Sequence, residues 1–303
     1  MGLGGPFIIE AKSEPLQYDR DYVVFFSDWL HSDPQQIIPN LRRQARQASK
    51  GMKMPMGPDL ADVHYDALLL NGKGNRDPWV GLAKPGERVR LRLINGATST
   101  YFNIQIEGLD LQITHADGQP VQPVVVANLV IGMGETYDAI VSLPASGSYL
   151  IRAQGLGQQG AEAIGVLHTP DVKPQTSPTK PFAARQPQLS YAQLASPTPT
   201  TLPQAPVKEF QLQLTGNMAK YIWSINNQVY PKASPLLIQP GDVVRITMTN
   251  ATAMWHPMHL HGHYFRLLTP GVAAPFAPLK HTVNVGPQQI IKIEFFADNP
   301  GNW

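Results

Sequence analysis

The 303-residue chain contains no cysteine. Disulfides, cysteine-type zinc sites, iron–sulfur clusters and thiol catalysis are thereby excluded. Charged residues make up only 15% of the chain, against about 25% in an average soluble protein. Lys+Arg number 24 and Asp+Glu 22, a balance of +2 with no basic block, so the footprint of a nucleic-acid binder is missing. No run of 18 apolar residues exists to span a membrane. Met1 to Glu10 carry no basic residue before their apolar stretch and no small-residue cleavage site after it, so they are not a secretion signal as they stand.

What is abundant is proline, with 29 residues against a usual ~5%, alongside 25 glycines. That mixture does not suit a helical bundle and suits many short strands joined by turns. At roughly 150 residues per domain the length allows two.

Two segments share one frame. Asn71-Gly72, Pro85-Gly86-Glu87-Arg88-Val89-Arg90 and Asn95 answer to Asn226-Asn227, Pro240-Gly241-Asp242-Val243-Val244-Arg245 and Asn250. The differences 226 − 71, 240 − 85 and 250 − 95 are each 155. Gly108 and Gly262, like Gly147 and Gly301, differ by 154. Each Pro-Gly reads as a turn and the alternating run after it as a strand, so the chain holds two copies of one all-β unit. Between the copies, nine prolines from Pro170 to Pro206 predict an extended linker along the surface. Residues 34–50 are the best helix candidate, with Pro39 in the first turn. Gly155-Leu156-Gly157-Gln158-Gln159-Gly160 matches G-x-G-x-x-G, but a strand-like run follows it, so it reads as a glycine-rich hairpin. The opening GLGGPFIIE looks like a closing strand with nothing before it, and the second copy is expected to lack its last strands beyond Trp303. A sandwich so cut exposes an edge and part of its core.

Four of the nine histidines lie in His256-Pro257-Met258-His259-Leu260-His261-Gly262-His263. On a strand, His259 and His261 point the same way, about 6.6 Å apart. That spacing lets them serve one metal or two adjacent metals. His256 precedes Pro257, which bends the chain out of the ladder, and can face a different site. At the 155 offset these positions carry Tyr101, Ile104 and Ile106 in the first copy. A frame needing histidine for packing would show it in both copies, so a site is expected in the second alone. Imidazole suits copper, zinc, iron or nickel. No His-Glu-x-x-His helix marks a zinc hydrolase, and Gly262 to Arg266 supply no carboxylate for a cupin-type site.

HPMHLHGHYF, residues 256–265, resembles the histidine motif in the last domain of multicopper oxidases. The resemblance runs through GPFIIE near the start, SDW at 27–29, GPDLADVHYDALLLNG at 57–72, ADGQPV at 116–121 and ETYDAIV at 135–141. It points to the bacterial laccase-like and copper-resistance branch. It implies an all-β fold of two cupredoxin-like Greek-key β-sandwich domains, the second incomplete, plus an orphan N-terminal strand. Residues 1–12 are then the closing strand of a missing first domain, 13–172 the second domain, 173–207 the linker and 208–303 the third domain without its C-terminal strands. By the resemblance, copper is the cofactor. His256 matches a ligand of the mononuclear type 1 copper, and His259 and His261 match type 2 and type 3 ligands of a trinuclear cluster. His263 is not usually a ligand. The family's closing His-Cys-His motif is absent, as are the two histidine-pair motifs of its first domain, so the remaining ligands are not in this chain.

The activity implied is oxidation of phenols, aromatic amines or Cu(I) with reduction of dioxygen to water, in a periplasmic or secreted protein. This chain alone is expected to be inactive, because it lacks the thiolate of a blue copper site. The competing expectation is a non-catalytic copper-binding, copper-tolerance module that holds or hands over metal. Met52, Met54 and Met56 alternate in GMKMPMG and offer thioethers suited to docking Cu(I).

Overall fold

The computed structural model describes residues 4–48, 61, 63–158, 160–217 and 220–302. The chain divides into two compact units, residues 1–30 with 64–194 and residues 31–63 with 195–303.

Alternation builds the first unit. In RVRLRLIN the side chains of Val89, Leu91 and Leu93 are buried, while Arg88, Arg90 and Arg92 take the opposite face. That outer face is held by charge pairs: Arg90 with Asp138 and Glu14, and Arg92 with Asp21. The strands are β1 (Arg20–Trp29), β2 (Ala67–Leu70), β3 (Trp79–Leu82), β4 (Arg88–Asn95), β5 (Phe102–Ile106), β6 (Leu111–Ala116), β7 (Gln119–Val126), β8 (Leu129–Ile131), β9 (Thr136–Ser142), β10 (Ser148–Gly155) and β11 (Glu162–His168). They form a six-stranded sheet, β2-β1-β4-β9-β6-β7, and a five-stranded sheet, β3-β11-β10-β5-β8. Phe26 of the first and Phe102 of the second meet with ring centroids 5.3 Å apart, within one apolar core drawn from both sheets. This is the expected sandwich.

The second unit repeats the plan with β12 (Val207–Asn217), β13 (Ile222–Ile225), β14 (Val243–Asn250), β15 (His256–His259), β16 (Phe265–Leu268), β17 (Leu279–Lys280), β18 (Thr282–Val285) and β19 (Ile290–Phe296). Its six-stranded sheet, β13-β12-β14-β19-β16-β17, has the same order as the first unit's, and β15 pairs with β18 as β5 pairs with β8. Among the described residues nothing in this unit corresponds to β3, β10 and β11.

The sequence repeat is a repeat of backbone and hydrogen bonds. Asn71 and Gly72 have φ of 51° and 73°, Asn226 and Asn227 of 51° and 61°, and Gly86 and Gly241 of 81° and 90°, the left-handed conformation that asparagine and glycine tolerate best. Asn71 accepts from Phe25 N–H and donates to the Val23 carbonyl, and Asn226 does the same with Gln213 and Gln211. Asn95 and Asn250 are buried, and each amide ties the carbonyls of the following loop to the end of the neighbouring strand. Glu135 and Gln289 each accept from the backbone N–H three residues earlier.

The predicted helix is present as α1 (Ile37–Ala48), entered by a single 3-10 turn, Pro34–Gln36, that Asp33 caps; Pro39 sits in its first turn, where a missing N–H costs nothing. Two expectations need correction. Residues 4–12, expected as an orphan strand, are not a strand, because no ladder partner lies beside them, and Phe7 and Ile9 are exposed. The proline-rich stretch is more than a surface linker. Proline removes donors but leaves carbonyls, and these are used: Ala127 N–H donates to Pro187 O and Arg152 to Lys180 O. Arg185 in turn grips the Ile106 and Leu109 carbonyls and Asp110. Leu189 and Leu194 join the first unit's core, and Ser196 and Thr200 bond to the Pro275–Phe276 turn of the second unit. Among the described residues no helix is long and apolar enough to cross a membrane.

Candidate metal centre

The site is built on β15, which has one ladder partner, β18, in the register His256↔Val285 to His259↔Thr282. β18 is buried along its whole length and floors the site. On β15, three residues apart, His256 and His259 fall on opposite faces.

His256 is half-buried, with Trp223 edge-on at 5.8 Å between ring centroids. Its Nε2 lies 2.8 Å from the Thr252 hydroxyl. That hydroxyl has its own acceptor, Asn250 Oδ1 at 2.8 Å, so the imidazole N–H is the donor and Nδ1 carries the lone pair. The amide orientation is secure, because Asn250 Nδ2 faces three carbonyls, those of Met254, Val285 and Gly286. Burial pushes the His256 pKa below the ordinary imidazole value and keeps the ring neutral, the form that ligates metals.

His259 is exposed at the strand's end. Its Nδ1 lies 2.8 Å from the His281 carbonyl and 3.0 Å from the Thr282 hydroxyl. A carbonyl only accepts, so Nδ1 carries the proton and Nε2 the outward lone pair. The His261 ring stands 5.1 Å from that of His259, and the His281 ring 5.2 Å from it. Imidazoles whose rings are pinned through opposite nitrogens, Nε2 in His256 and Nδ1 in His259, suit a borderline or soft transition metal. Among the described residues no three His, Asp or Glu side chains gather around one point. The geometry therefore supplies part of a donor set on one side of β15 and a single donor on the other.

His256 faces away from His259 and His261, but not for the expected reason: Pro257 stays in the ladder opposite Asn284 and does not bend the chain out of it, so strand alternation alone turns the rings apart. Two details differ. His261 is not on the strand. β15 ends at His259, and His261 opens a turn whose Gly262 has φ 71°, pinned by Asn299 donating to the Gly262 carbonyl. The match to the first copy also slips. Ala97 and Thr252 share the 155 offset, but Val285 pairs with His256 as Ile131 pairs with Phe102, and 256 − 102 is 154. One residue is lost in the intervening loop, so His256, His259 and His261 answer to Phe102, Gln105 and Glu107, not to Tyr101, Ile104 and Ile106. A one-residue slip exchanges the two faces of a strand, yet no imidazole stands at these positions in the first copy on either count.

His263 packs on Phe295 at 5.2 Å between ring centroids. His281 is the residue that sequence reading missed. It sits 22 residues from His259 in no motif, and only the β15–β18 register brings it near. Met52, Met54 and Met56 lie outside the described residues.

A family model for multicopper oxidases matches residues 20–169, and a second of the same description matches residues 203–303. The chain is 32% identical, over its full length, to the multicopper oxidase MmcO of Mycobacterium tuberculosis, and spans 62% of that protein. It is 27% identical over its full length to a copper resistance protein A homologue of Pseudomonas syringae pv. tomato, spanning 71% of it. Among solved structures, it is similar to Fet3p, a multicopper oxidase that functions in iron import, with a TM-score of 0.78 at 18% identity, over 97% of this chain and 64% of that one. The laccase of Botrytis aclada gives 0.69 at 20% identity, over 94% and 60%. These structural likenesses establish the cupredoxin-like fold, and the sequence matches establish descent: the chain belongs to the multicopper oxidase family, whose metal is copper.

Proposed function

We propose that this chain supplies one side of a multicopper centre, with His256 as a ligand of a mononuclear copper and His259 and His261 as ligands of a neighbouring copper cluster. The observation that carries this reading is the division of donors on β15, with the His259 and His261 rings 5.1 Å apart and His256 on the opposite face. Copper so bound supplies one-electron redox chemistry. The reaction served is oxidation of a small reducing substrate, a phenol, an aromatic amine or Cu(I), coupled to reduction of dioxygen to water. The chain's own residues hold the His256 and His259 rings by hydrogen bonds over the buried β18. With no cysteine in the sequence, the thiolate and the remaining donors come from elsewhere, and the chain alone does not turn over. On this reading the work is done in the periplasm or outside the cell.

Cu(II) added to the purified chain should give an imidazole-type EPR signal and no intense blue thiolate absorption. His259→Ala and His261→Ala should each weaken binding by at least about tenfold, or ~1.4 kcal/mol. Binding that ignores both substitutions would remove the site, and oxidase turnover by this chain alone would contradict the division of ligands.

A further inference from the structure

The helix α1 takes no part in the metal centre, and its segment carries an uneven share of the charge. From Pro34 to Pro58 the sequence holds Arg42, Arg43, Arg46, Lys50 and Lys53 and no acidic residue. Without those five, 24 − 5 = 19 Lys+Arg stand against 22 Asp+Glu, so the rest of the chain is net −3 where the whole is +2. Three of the five belong to α1. A basic residue in the last turn, such as Arg46, suits the negative end of the helix dipole, but Arg42 and Arg43 come before that turn.

The sides of the helix differ. Ile37, Leu41 and Ala45, spaced four apart, are half-buried, whereas Ile38, Arg42 and Arg43 are exposed, Ile38 to 44%. Among the described residues neither of these arginines meets a carboxylate, and Arg43 donates to the Asn40 side-chain oxygen instead. In the sheets, Arg90, Arg92, Arg152, Arg245 and Arg266 each pair with an acid. Charge that is neutralised there is left on the surface of α1.

We infer that α1 is a docking surface for an anionic phospholipid membrane: the Arg42 and Arg43 guanidinium groups engage lipid phosphates, and Ile38, one turn before Arg42, enters the boundary between headgroups and acyl chains. The forked donors of arginine match phosphate oxygens, and basic side chains beside an exposed apolar one are the make-up of a helix that lies in the membrane interface. Arg42 and Arg43 are neighbours in sequence, so their directions diverge by about 100° around the helix axis. An acidic protein would have to place carboxylates to match that divergence, whereas a layer of phosphates presents an acceptor wherever each arginine reaches. The inference does not depend on the copper assignment.

Vesicle co-sedimentation of the whole chain tests it. The chain should bind vesicles containing phosphatidylglycerol, should not bind vesicles of phosphatidylcholine alone, and should be released by added salt as screening shortens. Arg42→Gln and Arg43→Gln should each weaken binding about fivefold, the weight of one basic side chain near such a surface, and together about 25-fold. Circular dichroism should stay as in wild type, because both side chains are exposed. Lysine at both positions should keep most of the affinity, and Arg76→Gln, at an exposed arginine outside the helix, should leave it unchanged. Equal affinity for the two kinds of vesicle overturns the inference, as does binding that survives the double substitution. A loss with Arg76→Gln as large as with Arg42→Gln would reduce the effect to net charge and overturn it too. Binding to polyglutamate with none to the anionic vesicles would make the partner an acidic protein and remove the membrane.

Discussion

Asn250 shows how much one side chain carries. Its Nδ2 serves the carbonyls of Met254, Val285 and Gly286, and its Oδ1 receives Thr252 N–H and the Thr252 hydroxyl. That hydroxyl is the partner of His256, so the amide fixes β14, β18 and a histidine ring together. Asn250→Ala should destabilise the second unit by about 2–4 kcal/mol, because buried carbonyls lose their donors. Asn250→Asp should cost as much, since a carboxylate has no N–H to give them. Urea denaturation of the two variants checks this, and a loss below about 0.5 kcal/mol would mean the network closes without the amide. Asn250 was legible in the sequence, because Asn95 stands at the same place in the repeat and does the same job. His281 was not. A lone histidine between two short strands has no period and no spacing, and its meaning comes from a register set 22 residues away.

At the scale of the element, β4 and β14 show why the fold could be read. Their inward positions alternate as apolar residues, and outward Arg90 and Arg92 on β4 and Arg245 on β14 find acids across the sheet. Arg90 bonds Glu14 and Asp138, and Arg245 bonds Glu209 and Glu294. Burial on its own would raise the Glu14 pKa, but the Leu16 N–H and the Arg90 guanidinium outweigh it and hold the carboxyl below its ordinary value. A carboxylate whose pKa is depressed by folding adds stability above its unfolded pKa, and that stability is lost as pH falls through the folded value. Glu14→Gln should therefore cost about 1 kcal/mol near neutrality, and the gap from wild type should close as the pH falls below about 4. Denaturation across a pH series reads this, and a gap that stays constant into acid would show that the charge of Glu14 is not what stabilises. The strand β15 was harder to read than β4. Its histidine run looked continuous, but the strand ends at His259 and the turn at His261-Gly262 takes His261 off the ladder. Pattern alone does not say where a strand stops when the next residue of the motif is equally suited to a turn.

The two units share one plan and differ in one layer. β5 is flanked by β8 and β10, whereas β15 has only β18 beside it among the described residues. Fewer ladder bonds and a thinner covering layer mean cheaper local opening, so amides of β15 and β18 should exchange at least about tenfold faster than those of β5 and β8. The doubled frame at offset 155 made the two-unit plan legible from the Asn, Pro-Gly and Arg positions alone. The capture of the proline-rich stretch by Arg185, Leu189 and Leu194 was not legible, because those residues carry no pattern and their partners lie far away in sequence. In the proposed reading, β15 turns one imidazole to each of two separate copper positions. Crystals of the chain soaked in Cu(II) and measured at the copper absorption edge test it directly. One anomalous peak is expected at His259 Nε2 beside His261, and a second, separate peak at His256 Nδ1. A single peak shared by His256 and His259, or copper bound at neither, would contradict it.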